Sequence, residues 1–171
     1  MIELLRLSHR PVRDARLTTH IGLTSRAFLV DKMWYSGVRD RDMESSIINV
    51  AEQFGGNFQI SYIQDPLALI KVKREDGFTI VHLTMYGKSF KENLSKVKNK
   101  NLLIIVGGEK VEPEFYHESD FNLSVTNQPI SELSALAVFL HEFIGGKELN
   151  DNFNGKLKVI GQEEGKKVVK S

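Results

Sequence analysis

The 171-residue chain is predicted to be an α/β protein, a mostly parallel sheet flanked by helices. Short apolar runs alternate along it with longer amphipathic ones, the βαβα rhythm of such a sheet. One run, "LLIIVGG" (102–108), is apolar at every position before its glycines, as a strand covered on both faces must be. In "MESSIINVAEQFGG" (43–56), Met43, Ile47, Val50 and Phe54 recur at helical spacing and Gly55-Gly56 supplies a C-cap.

The remaining elements follow in order. "IELLRL" (2–7) is a first strand, and Thr18 or Thr19 caps a helix running to about Phe28. A short strand is expected near "KMWYS" (32–36), followed by the helix over 43–54. "NFQISYI" (57–63) alternates as a strand, and "FTIVHLTMYG" (78–87) holds another. After the buried run comes a short helix in "EPEFYHESD" (112–120) and a strand at "FNLSV" (121–125). "PISELSALAVFLHEFIGG" (129–146) is a strong helix, with Pro129 before it, Ser131 near its start, and Leu133, Leu136, Ala137 and Leu140 on one face. No repeat, low-complexity linker or domain boundary interrupts the chain. Residues 1–171 are therefore expected to form a single domain, with 147–171 a basic C-terminal extension that adds an extended segment.

With 41% hydrophobic and 26% charged residues, the composition excludes a disordered or membranous chain. No apolar run approaches the ~20 residues of a spanning helix, and no signal-peptide pattern opens the chain, so a cytoplasmic location is expected. The absence of cysteine excludes disulfides, thiolate metal sites and a thiol nucleophile. The net charge of +1 conceals two basic ends. Arg6, Arg10, Arg13, Arg16 and Arg26 face one acid, Asp14, within residues 6–26; Lys156, Lys158, Lys166, Lys167 and Lys170 oppose Glu163 and Glu164 in the tail. Such ends suit a polyanion, and arginine is the better fork for phosphate; solvated surface charge is the alternative.

Three glycine- or proline-bearing loops, "HLTMYG", "VGGEKV" and "VTNQPISE", follow predicted strands, at the sheet edge where α/β proteins bind ligands. Singly, each also reads as an ordinary turn or helix start. No G-x-G-x-x-G follows the first strand, and no P-loop or G-x-S-x-G elbow occurs. His9, His20, His82, His117 and His141 lack metal-ligand spacing, so no metal is expected. In "RLSHRPVRDARLTTH" (6–20), Pro11 is expected to break regular structure and leave Arg10 and Arg13 on a loop at the ligand edge, with Asp14 pinning one guanidinium.

"LRLSHRPVRDARLTTHIGLTSRAF" (5–28) resembles the N-terminal signature of the archaeal tRNA cytidine-56 2′-O-methyltransferases, of the SPOUT class. "HLTMYG", "IIVGGEKV" and "NQPISELSALAVFL" resemble that family's later motifs in the same order, across most of residues 4–146; "EGKKVV" (164–169) fits its tail. Ser8, Leu29 and Thr126 stand where the family more usually has glycine.

The resemblance implies a SPOUT-type sheet with a C-terminal trefoil knot, a homodimer whose active site uses both subunits, and S-adenosylmethionine as cofactor. The methyl donor would be contacted by Leu83; by Gly107, Gly108, Glu109, Lys110 and Val111; and by Val125, Thr126, Asn127, Gln128, Pro129, Ile130, Ser131 and Glu132. Arg10 and Arg13 would grip RNA phosphates. Arg16, by position in the first motif, or His20, as the chemically easier base, would take the proton from the ribose hydroxyl. The substrate implied is tRNA at cytidine 56 of the T-loop. The alternatives are another RNA nucleotide, or an RNA-binding protein that has lost catalysis.

Overall fold

The computed structural model describes every residue except Asn99, Glu109, Asn152 and Ser171, and of Ala15 the backbone alone. Six parallel strands form one sheet in the order β3-β2-β1-β5-β4-β6: β1 (Ile2–His9), β2 (Lys32–Gly37), β3 (Gln59–Tyr62), β4 (Thr79–Ser89), β5 (Leu102–Val106) and β6 (Phe121–Ser124). Between them run α1 (Pro11–Ala27), α2 (Arg41–Phe54), α3 (Pro66–Glu75), α4 (Phe90–Val97) and α5 (Pro113–His117); α6 (Glu132–Ile144) follows β6. The expected α/β class is the one observed.

Apolar alternation along the strands splits the core between the two faces. Leu102, Ile104 and Val106 of β5 join Leu4 of β1 under Ile21 of α1, Ile47 of α2 and Leu136, Phe139 and Leu140 of α6. The intervening Leu103 and Ile105, with Leu5 and Leu7, pack against Leu69 and Ile70 of α3 and Phe115 of α5. The unbroken apolar run of β5 is thus a strand read from both sides. Asp40, Asp65 and Ser131 cap α2, α3 and α6, accepting from Met43, Ala68 and Leu133 N–H groups at 2.9, 3.0 and 3.2 Å.

Three expectations change. Pro11 does not interrupt structure but opens α1, seven residues before Thr18: the first turn needs no N–H from it and its fixed φ suits a helix start. Arg10 is consequently the residue preceding a helix and Arg13 lies in its first turn, not on a loop. The two helices α3 and α4 were not foreseen. "HLTMYG" is not a loop after a strand, because β4 runs on to Ser89. Its register jumps, with Leu83 and Lys88 both facing Leu123 of β6, so residues 84–87 arch away from the sheet. Gly87 closes this arch: a Cβ there would stand 2.6 Å from backbone atoms of Asn122 and Leu123, space only glycine leaves open.

Ser8 (φ 56°) and Leu29 (φ 61°), two of the three positions where the resemblance leads one to expect glycine, lie in the left-handed region; Thr126 does not. Side-chain-bearing residues pay for this conformation in steric energy. Exposed Ser8 makes the cleaner test, since its N–H, not its hydroxyl, bonds the Ser36 Oγ at 3.1 Å. Ser8→Gly is expected to raise the unfolding free energy by ~0.5–1 kcal/mol in urea denaturation.

The tail forms an antiparallel hairpin, β7 (Leu157–Ile160) with β8 (Lys167–Lys170), largely exposed on both faces. It is joined to the body through Phe153, whose ring lies 5.0 Å from the Arg26 guanidinium. Arg26 in turn donates to the Gly55 carbonyl at 2.7 Å, closing the end of α2. Among the described residues, no helix is long and apolar enough to cross a membrane.

Candidate active site

A cleft of about 690 Å³ opens at the C-terminal edge of β1, β5, β4 and β6, between the starts of α1 and α6. Three walls come from the segments singled out in the sequence, one of them the arched part of β4. The turn after β5 contributes Gly107, Gly108 and Val111; β4 contributes His82, Leu83 and the arch Thr84–Tyr86; the segment after β6 contributes Val125, Thr126, Pro129, Ile130 and Glu132. Arg6, Arg10 and Arg13 bring positive charge to the same cavity.

Several expected contacts serve the frame. Asn127 donates from Nδ2 to the Met85 carbonyl at 2.6 Å, which ties the arch of β4 to the loop after β6. The Gln128 N–H reaches Thr126 Oγ1 at 3.3 Å, Ser131 caps α6, and Lys110 is exposed. None of Lys110, Asn127, Gln128 and Ser131 lines the cleft. Glu109 lies outside the described residues. Arg16 and His20 are exposed on α1, one helical turn apart and outside this chain's cleft wall.

The electrostatics are uneven. Arg10 donates from Nε to Asp14 at 3.0 Å. Burial alone would raise the Asp14 pKa; the Arg10 hydrogen bond and the charges of Arg10, Arg6 and Arg13 overcome it and hold the carboxyl below its ordinary value. Stability from that link is complete above the ordinary carboxylate range and is lost as pH falls through the lowered value. Arg6, only 1% exposed, has no such partner: its Nε and Nη1 make no hydrogen bond among the described residues. Deeper in the cleft, Asn122 uses its Nδ2 to donate to the Tyr116 carbonyl at 2.9 Å, so its Oδ1 is the acceptor facing His82 Nδ1 at 3.0 Å. That assigns the proton to Nδ1. Burial lowers the His82 pKa against this bond and keeps the ring neutral.

Sequence reasoning missed Arg6 and Tyr116 as cleft residues. Only the topology brings them to one edge. His9, buried, bridges Thr18 Oγ1 (2.9 Å) and Asp40 Oδ2 (3.3 Å), locking the N-terminal half of α1 and the cap of α2 to the end of β1. Among the described residues, no group of three or more His, Cys, Asp or Glu is placed to hold a metal.

The likeness to known proteins agrees with this geometry. The family described as tRNA ribose 2′-O-methyltransferase, aTrm56, matches residues 54–169. A tRNA (cytidine(56)-2′-O)-methyltransferase of Methanosphaera stadtmanae is 44% identical, over 100% of this chain and 99% of its own. Its namesake from Thermococcus kodakarensis is 43% identical, over 99% of this chain and 97% of its own. Among solved structures, the A. aeolicus TrmH/SpoU tRNA modifying enzyme superposes with a TM-score of 0.65 at 16% identity, covering 87% of this chain and 76% of that one. The SpoU methyltransferase AviRb from Streptomyces viridochromogenes, in complex with the cofactor AdoMet, gives 0.62 at 13%, covering 86% and 57%. The solved structures establish a shared fold, and the sequence relatives establish more: the chain belongs to the tRNA ribose 2′-O-methyltransferase family.

Proposed function

We propose that this protein methylates the ribose 2′-hydroxyl of cytidine 56 in the tRNA T-loop, with S-adenosylmethionine as donor. The observation that carries the reading is the joining of a deep, glycine-walled cleft to an arginine rim, in a chain 44% identical to a relative named for that reaction. The residues present fit the donor. Leu83, Val125 and Ile130 form an apolar wall for the adenine. Gly107 and Gly108 line the cleft with backbone, and the Arg6 guanidinium, without a hydrogen-bond partner at Nε and Nη1 among the described residues, suits the donor's anionic end. When bound, the donor's sulfonium supplies an electrophilic methyl group.

The protein's own work is to bind, orient and move one proton. Arg10 and Arg13 at the rim hold the RNA backbone, with Asp14 fixing the Arg10 fork. The 2′-hydroxyl must lose its proton as the carbon–oxygen bond forms, and Arg16 or His20 is the group that handles it. Both stand outside their own cleft, which supports a homodimer in which α1 of one subunit serves the cleft of the other. The SPOUT-class resemblance of the sequence supports a trefoil knot near the C-terminus, and a tRNA substrate is met in the cytoplasm. The exposed lysines of 147–171 extend the RNA-facing charge as an appendage of one domain.

The test is incubation of unmodified tRNA transcript with labelled S-adenosylmethionine, then nuclease mapping of the labelled nucleotide. Label on 2′-O-methylcytidine at position 56 is expected. Label on another nucleotide would move the assignment within the chemistry. Tight tRNA binding with no label would mark a protein that only binds RNA.

A further inference from the structure

The least expected charge in the molecule is Arg6. It sits on β1 in register with Val106 of β5, one residue before the Gly107-Gly108 turn, and it is 1% exposed. A buried guanidinium cannot escape its cost by losing its proton at neutral pH, so it ordinarily fills its fork with acceptors. Here Nε and Nη1 have none among the described residues. Burial pulls the Arg6 pKa down, and Glu132 and Asp14 oppose that only through space. Asp14 is already engaged by Arg10 at 3.0 Å.

The surroundings point one way. A Cβ built on Gly108 would lie 3.9 Å from Nη1 and Nη2 of Arg6 and equally 3.9 Å from Nη2 of Arg10. Two guanidinium groups therefore converge on one glycine at the cavity's edge, where the missing side chain leaves room for a ligand atom. Two like charges so placed, with one unpartnered at two nitrogens, are a half-built anion site. We propose that Arg6, assisted by Arg10, is an oxyanion-binding residue at the base of the cleft, taking either the amino-acid carboxylate of the methyl donor or a phosphate of the RNA. This rests on the reading of the cleft as a donor site for RNA methylation.

Arg6→Met, in the full chain, separates the possibilities. Removing a buried charge without partners is expected to leave the melting temperature of the ligand-free protein unchanged or higher, and inorganic phosphate, which should stabilise the native protein, should no longer do so. A clear fall in melting temperature with the phosphate response retained would show a structural arginine and overturn the proposal. Calorimetric titration then names the ligand. If the carboxylate is held, Arg6→Met weakens S-adenosylmethionine by about tenfold or more and leaves decarboxylated S-adenosylmethionine within about twofold, the span expected for a hydrogen bond to a charged group. If a phosphate is held, both donors bind as before, while tRNA binds about tenfold more weakly and with a shallower salt dependence. Equal weakening of both donors, or no change in any titration, would refute it. Failure of the native protein to bind either donor would instead count against the methyltransferase reading, and the phosphate melting arm would still decide the role of Arg6.

Discussion

Arg16→Ala is expected to leave calorimetric affinity for S-adenosylmethionine unchanged and to lower single-turnover methyl transfer by about 10²–10⁴-fold, the usual worth of a positioned acid–base group. Arg16 is exposed on α1 and touches no wall of its own cleft, so its loss should not disturb the donor pocket or the fold. A guanidinium already holds its proton at every accessible pH and can act as a base only once a phosphate or carboxylate draws that proton away. His20, one turn further on, offers an imidazole, a side-chain type suited to accepting a proton. The pH profile separates the two. If His20 is the base, transfer rises through the imidazole range and His20→Gln flattens that limb; if Arg16 is the base, the limb survives in His20→Gln. Full activity in Arg16→Ala would remove Arg16 from the mechanism. Mixing Arg16→Ala with Gly107→Ala reads the subunit arrangement, because a Cβ at Gly107 would sit 2.1 Å from Val111 Cγ2 and disturb the donor turn. Partial recovery of activity in the mixture is expected, and none would place both residues in one subunit's site.

Phe139→Ala is expected to cost ~3–5 kcal/mol, a large part of the ~5–15 kcal/mol that holds a typical domain together. Phe139 is fully buried on α6, its ring 5.0 Å from Phe90 of α4 and stacked 5.9 Å from Phe143. The residue joins the helix after the cleft to the helix after the β4 arch. A cavity there loosens both sides of the donor pocket. Urea denaturation should show the loss in midpoint, and donor affinity should fall with it. Retention of the native midpoint would mean that the two helices repack without the ring.

The sheet was legible where burial is uniform. The run at 102–106 has nothing but apolar side chains, so both of its faces had to be covered. The segments that wall the cleft were legible because glycine and proline mark turns at the sheet edge. The start of α1 was not legible, because the buried stripe of that helix begins with Asp14 and Thr18, which do not look like a core face. Arg6 was hidden for the same reason in reverse. In "IELLRL" a lone arginine reads as the wet side of a strand, whereas in a sheet covered on both faces that side is interior. The left-handed backbone of Ser8 and Leu29 was foreshadowed only by the resemblance, which leads one to expect glycine there.

Helix α1 is pinned at its middle, by His9 through Thr18, and at its finish, by Arg26 on the Gly55 carbonyl. Its 17 residues make a stiff rod of about 25 Å. The arginines of the cleft stand at one tip, and the attachment of the lysine hairpin, through Phe153, stands at the other. The rod thus holds the cleft arginines and the anchor of the lysine hairpin at a fixed separation.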